Sequence, residues 1–188
     1  MYLTMFPVAI GGILNMIFTK TSIYKKYKYP IDCNKLLKDD RRIFGDNKTF
    51  IGFISMIVCC IITQVLCGII CNLFQINHVH DVYLIHDNNL FFNIWFGAVT
   101  GFTYMLFELP NSFIKRRIGI NPGETNKNFV GLLFFIIDQI DSLVGVMALL
   151  LIFANISFTK YINYIILGAL THVVINLILL LLKVRKHL

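Results

Sequence analysis

The chain has 188 residues, of which 57% are hydrophobic and 14% charged, and its mean hydropathy is +0.72. Soluble domains carry about 25% charged residues, so this composition excludes an ordinary water-soluble enzyme and makes the bilayer the natural solvent. A net charge of +7 and a pI near 9.2 would suggest nucleic acid as a partner of a soluble protein. Here the basic residues lie between apolar runs and no nucleic-acid-binding motif is present, so anionic lipid headgroups, nucleotide phosphates and membrane topology account for the charge.

Five apolar runs, near 2–19, 50–74, 90–109, 129–154 and 161–182, approach the roughly 20 helical residues that cross a hydrocarbon core. Helix is the conformation that pairs every backbone group within its own segment in lipid. The predicted fold is therefore all-α: one polytopic membrane domain, residues 1–188, with about five transmembrane helices. The first run has no basic residue before it, as a cleaved signal peptide would, and reads as a retained span. The second holds Cys59, Cys60, Cys67 and Cys71, which pack as small hydrophobes; with Cys33 they show no metal or disulfide spacing. A short polar loop follows, carrying His78, His80, Asp81, His86 and Asp87; short polar loops collect such residues, and metal binding is the alternative reading.

The third run opens with Phe91, Phe92 and Trp95, an interfacial anchor. It contains Gly97-x-x-x-Gly101, a spacing that lets two helices approach closely, either inside the bundle or across a homodimer. It is predicted to end at Glu108-Leu109-Pro110, where Pro110 breaks the helix. The fourth run carries Asp138 and Asp141. In the fifth, His172 reads as a buried hydrogen-bonding residue, while His187 in the tail reads as solvated.

Basic residues fix the expected orientation. Nine of the 17 Lys and Arg lie in the loop 20–49, four in the loop 110–128 and three in the tail, against none from Gln75 to Asn89 and one from Asn155 to Lys160. This strict alternation puts the N-terminus outside, and the loops 20–49 and 110–128 and the C-terminus in the cytoplasm. The chain is expected in the cell membrane, among membrane lipids, with its active site facing the cytoplasm.

The residues that carry chemistry collect on that side. Asp138 and Asp141 are three apart, share one helix face and sit inside an apolar run, where each carboxylate costs roughly 2.5–3.5 kcal/mol. A divalent cation offsets both that cost and their mutual repulsion, and Mg2+ suits a carboxylate pair plus nucleotide phosphates. The alternative is a proton-sharing pair, or hydrogen bonds to Ser142 or Gln139. Glu108 is a third acid, placed beside Ser112, Lys115, Arg116 and Arg117; Arg in particular offers two parallel hydrogen bonds to phosphate oxygens. In the first loop, Arg41, Arg42, Gly45, Asp46, Lys48 and Thr49 provide cations, a turn and a cap for the second span. The spacing is not that of a Walker loop, so it marks phosphate affinity without naming a nucleotide fold.

Arg41-Arg-Ile-Phe-Gly-Asp-Asn-Lys-Thr-Phe-Ile-Gly52, preceded by Pro30-Ile-Asp32, resembles the first-loop motif of the CDP-archaeol synthases. Ser112-Phe-Ile-Lys-Arg-Arg117, followed after Pro122-Gly123 by Asp138-Gln-Ile-Asp141, is similar to their second signature, which the wider CDP-diacylglycerol synthase family shares. The resemblance implies a five-span cytidylyltransferase that uses CTP, Mg2+ and an anionic phospholipid and releases pyrophosphate. It implies that Asp138 and Asp141 hold metal with Glu108 assisting, and that Lys115 acts with the two aspartates in catalysis. Arg41, Arg42, Asp46, Lys48, Thr49, Ser112, Arg116 and Arg117 then bind nucleotide and phosphate. Archaeal members commonly carry Gly-Asp where this chain has Phe107-Glu108, and Glu-Leu-Pro-Asn-Ser resembles bacterial relatives. Phosphatidic acid and an archaeal-type ether lipid phosphate are therefore both candidate acceptors. A cation- or proton-coupled transporter using Asp138 and Asp141, and a non-catalytic assembly partner, are the competing readings.

Overall fold

The computed structural model describes residues 1–122 and 129–181. The chain forms helices α1 (Tyr2–Phe18), α2 (Ser22–Tyr27), α3 (Phe50–Leu73), α4 (Leu90–Arg117), α5 (Phe129–Phe153) and α6 (Phe158–Leu181). Four of them are long and apolar enough to cross a membrane, and α1, at 17 residues, is shorter. Among the described residues there is no strand; two isolated bridges, Pro30 to Thr49 and Leu36 to Arg42, tie the first loop to itself. The predicted all-α polytopic class holds. The last span starts at Phe158 rather than 161. Gly123, Lys127, residue 182 and the tail residues Lys183, Arg185, Lys186 and His187 lie outside the described residues.

Each long helix packs on its neighbour: α1 on α3, α3 on α4, α4 on α5 and α5 on α6, with α6 returning to touch α1. Met56, Cys60, Leu143, Met147 and Tyr164 are almost wholly buried between them. In lipid, helices associate through close packing and hydrogen bonds rather than through expulsion of water, and small residues supply that closeness here. A Cβ on Gly97 would stand 2.7 Å from the Ile61 Cα, and one on Gly101 would stand 2.6 Å from the Ile57 Cα. The glycine pair therefore seats α4 on α3 of the same chain, which answers the choice between bundle and homodimer for this spacing.

The predicted break at Pro110 does not occur. α4 runs through it to Arg117, although proline removes one N–H and the bond to the carbonyl one turn back. The helix stops at Gly119 instead. Gly119 has φ +85°, its N–H bonds the Arg116 carbonyl at 3.2 Å, and the Ile120 N–H bonds the Lys115 carbonyl at 2.9 Å. This is a glycine C-cap of the Schellman type. A proline already in helical φ leaves the turn intact, whereas a left-handed glycine closes off the last carbonyls. The start signals are side-chain caps: Thr49 accepts from the Gly52 N–H at 3.1 Å, and Asn89 accepts from the Phe92 N–H at 2.8 Å.

The long helices alternate in direction, so the bundle has two different ends. One gathers the loop 19–49, the tail of α4 and the start of α5. The other gathers the N-terminus and the segments 74–89 and 154–157. The segment after α3 is a polar loop, but an ordered one. It folds into two 3-10 turns, Asn77–Val79 and Asp81–Leu84, with His80, Asp81 and Val82 buried. The burial has a physical cause: Asp81 finds partners on α6, accepting from Lys160 Nζ at 2.7 Å and from the Tyr164 hydroxyl. Tyr83 also donates to Asn93 at 2.6 Å and accepts from Gln64 at 2.9 Å. Burial pushes the His80 pKa down to about 4, so its ring is neutral. His172 makes the hydrogen bond expected of it, its Nδ1 lying 3.1 Å from the Gln139 carbonyl, but it is half-buried rather than buried.

Candidate active site

Because α4 persists past Pro110, Glu108, Asn111 and Lys115 stand at i, i+3 and i+7 on one face. That face meets α5 at Asp138 and Asp141. Lys115 Nζ donates to both Asp138 oxygens, at 2.5 and 2.6 Å. The Asn111 amide nitrogen donates to Asp138 at 2.7 Å and to Asp141 at 2.6 Å. Asp141 also accepts the Ser142 N–H at 2.6 Å. Lys115 additionally lies 5.6 Å from the Phe134 ring centre, which packs its stem.

Of the two hydrogen-bond alternatives for the acids, the one to Ser142 is present through its backbone N–H, and the one to Gln139 is not. The only Ser142 group bonded to Asp141 is its backbone N–H. Gln139 donates to the Phe135 carbonyl and accepts from Asn176, on the side of α5 that meets α6.

A second contact joins the first loop to the same face: Lys48 pairs with Glu108. Thr49 is fully buried, caps α3 and lies 3.0 Å from the Tyr24 hydroxyl. Beyond these, the two basic loops are latched together. Arg41 donates to the Arg117 carbonyl at 2.6 Å, and Arg117 donates to Asp39 at 2.5 Å and to the Arg42 carbonyl. Arg116 is buried and donates to the Ile120 carbonyl. Gly45, at φ +90°, lies so close to Pro122 and Arg116 that a Cβ there would stand 2.7 Å from the Pro122 ring. Arg41, Arg42, Asp46, Arg116 and Arg117 thus form a belt around the loop contact, while Asp138, Asp141 and Lys115 form a compact group on the helices. Ser112 sits one position beyond Asn111, partly buried.

Asp32 organises the first loop, a role the sequence motif did not disclose. Its carboxylate accepts from Arg42 at 2.5 and 3.2 Å, from the Phe44 N–H at 3.0 Å and from the Gly45 N–H at 2.9 Å. Arg42 also reaches Asp46 at 2.9 Å. Burial alone would push the Asp32 pKa up. The Arg42 bonds and the two backbone N–H groups outweigh it and hold the carboxyl at about 2, against an ordinary 3.8.

The reading from sequence missed Asn111 altogether. Its only signal was position: it lies between Glu108 and Lys115 at helical spacing, a pattern visible only if the helix is allowed to cross Pro110. Among the described residues no three acids, histidines or cysteines converge closely enough to hold an ion by themselves. The donor set still fits a hard cation. Asp138, Asp141 and the Asn111 amide offer oxygen alone, and Mg2+ typically takes one or two carboxylates and completes its shell with water and substrate phosphates.

The arrangement is a carboxylate pair flanked by lysines, set where two cationic loops meet. The sequence model of the CarS-like CDP-archaeol synthases matches residues 7–187. Similar proteins named CDP-archaeol synthase include that of Methanoculleus marisnigri, 30% identical over 79% of this chain and 82% of that one. That of Pyrobaculum islandicum is 29% identical over 86% and 83% of the two chains. That of Pyrococcus furiosus is 36% identical over 50% and 48%. A solved structure described as an intramembrane enzyme for archaeal membrane lipids biosynthesis has a TM-score of 0.64 at 19% identity, covering 94% of this chain and 92% of that one, and shares its fold. The chain belongs to the CDP-archaeol synthase family.

Proposed function

We propose that this protein transfers CMP from CTP to the phosphate of an anionic membrane lipid, forming a CDP-lipid and pyrophosphate. The observation that carries the reading is the clasp of Asp138 and Asp141 by Asn111 and Lys115, beside two loops rich in Lys and Arg. A lipid phosphate oxygen attacks the α-phosphorus of CTP; the new P–O bond forms as the α–β anhydride bond breaks, and its electrons leave on pyrophosphate. The attacking phosphomonoester has a second pKa near 6, so at neutral pH it is largely dianionic and needs no general base. The work left for the protein is to hold two polyanions together and to stabilise the leaving charge.

Asp138 and Asp141 would hold Mg2+, with Glu108 assisting, and the ion would supply positive charge against the nucleotide phosphates and the departing pyrophosphate. Lys115 neutralises a phosphate oxygen at the reacting centre. Arg41, Arg42, Lys48, Ser112, Arg116 and Arg117 bind and orient the remaining phosphates, and Asp46 keeps Arg42 in place. The site faces the cytoplasm, where CTP is, and the lipid chains stay in the bilayer. Phosphatidic acid and an ether lipid phosphate remain the two candidate acceptors. A transporter would need its acids reachable from both ends. Here Leu143, Val146, Met147 and Leu150 of α5 are buried between the acids and the far end, which disfavours such a path. The test is to incubate purified protein with labelled CTP, Mg2+ and either phosphatidic acid or digeranylgeranyl glycerol phosphate. CDP-lipid and pyrophosphate are expected with one or both, and silence with both overturns the proposal.

A further inference from the structure

We infer that Asn111 is the positioning residue that sets the geometry of the aspartate pair and supplies that pair with a third oxygen donor toward the divalent cation. This inference rests on the proposed cation role of Asp138 and Asp141. Two carboxylates one helical turn apart on α5 repel each other, and nothing on α5 itself joins their side chains. One amide nitrogen from α4 does, donating to an oxygen of each at 2.7 and 2.6 Å. An amide nitrogen has two protons, and this geometry directs one to each carboxylate. The separation and rotation of the pair are thereby fixed from a different helix.

The other half of the same amide gives the second observation. Asn111 is only 7% exposed, and its Oδ1 is buried with no hydrogen-bond partner. A buried carbonyl oxygen usually has a donor, and an asparagine held only for packing would satisfy both ends. Turned over about its terminal torsion, the same amide would bring that oxygen to where its nitrogen now meets the two carboxylates, giving the all-oxygen set that hard divalent cations take. Lys115 cannot replace it: it donates only to Asp138 and offers no oxygen.

The experiment measures Mn2+ and Mg2+ affinity of the purified full-length protein by titration calorimetry, without substrate, together with the Mg2+ dependence of the reaction. N111L, close in size but without polar atoms, is expected to weaken cation affinity by about 10–100-fold, the range typical when a group that orients metal ligands is lost. The Mg2+ concentration for half-maximal rate should rise with it, while the KM for lipid stays put. N111D keeps an oxygen donor but loses the N–H groups that join the aspartates, so its cation affinity should fall between those of N111L and the wild type. N111A is the second truncation, with the same expectation as N111L, in case the larger side chain disturbs folding. Wild-type cation affinity in a folded N111L or N111A overturns the inference. D138N is run alongside: if it too binds cation normally, the carboxylate reading has failed rather than the assignment of Asn111.

Discussion

Each end of the bundle holds acids, and the two ends treat them differently. At one end Asp81 is 6% exposed and its carboxylate is matched by Lys160, by the Tyr164 hydroxyl and by close apolar packing. Burial raises its pKa, but those two partners outweigh it and keep the group ionised. At the other end Asp138 and Asp141 share one amide, and the Asp138 side chain is 36% exposed. Lys115 pairs with Asp138, and Lys48 with Glu108 on the facing helix. A buried acid with its own cation and hydroxyl is structural glue. An acid pair that shares donors and keeps an open edge is a place where charge can arrive. The distinction lies in burial and in how many partners each oxygen has to itself.

The comparison predicts opposite costs. D138N should lower CDP-lipid formation by about 10³-fold and leave the melting curve of the purified protein near that of the wild type. K115M should cost about 10²-fold in kcat, again with a fold that circular dichroism finds intact. D81N should reverse the pattern. It leaves Lys160 without its carboxylate and should destabilise by about 2 kcal/mol, below the full cost of breaking a buried pair because Lys160 is 38% exposed. Its specific activity per folded molecule should be unchanged. If D81N abolished activity while folding normally, the two ends would not be separable as drawn.

A smaller effect concerns pH. Asp32 has a folded pKa of about 2 against 3.8, a depressed value, so its contribution of about 2 kcal/mol is complete above pH 4 and is lost as pH falls from about 4 to 2. Limited proteolysis should show the 20–49 loop opening across that window, and D32N should show it already open at pH 7. The smallest effect is expected for P110A. It restores an N–H to α4 and should change stability by less than about 1 kcal/mol, with the rate unaltered; a large loss would mean that the proline shapes the site after all.

The spans, the class of fold and the acid pair were legible in the sequence because each follows from short-range rules: run length, helical spacing and the cost of charge in lipid. What was not legible depends on which residue meets which across the fold. Pro110 looked like a terminator, because a local rule cannot weigh one missing hydrogen bond against the glycine cap nine residues later. Asn111 looked like spacer, being uncharged and in a Pro-Asn-Ser run. The arginines read as phosphate ligands also hold loop to loop, through carbonyls that no side-chain pattern reveals. The order of the polar loop at the far end was not legible because the partners of Asp81, Lys160 and Tyr164, lie some eighty positions away in sequence.

α4 has one more implication. It is a single unbroken beam, with Asn93 fixed in the polar network at one end and Asn111 and Lys115 mounted near the other. Reactive groups carried on such a beam keep their aim without a closing flap, so substrates must travel to them. Any bend introduced far away, at the glycines where α4 leans on α3, would be felt at the reacting phosphorus as poor alignment.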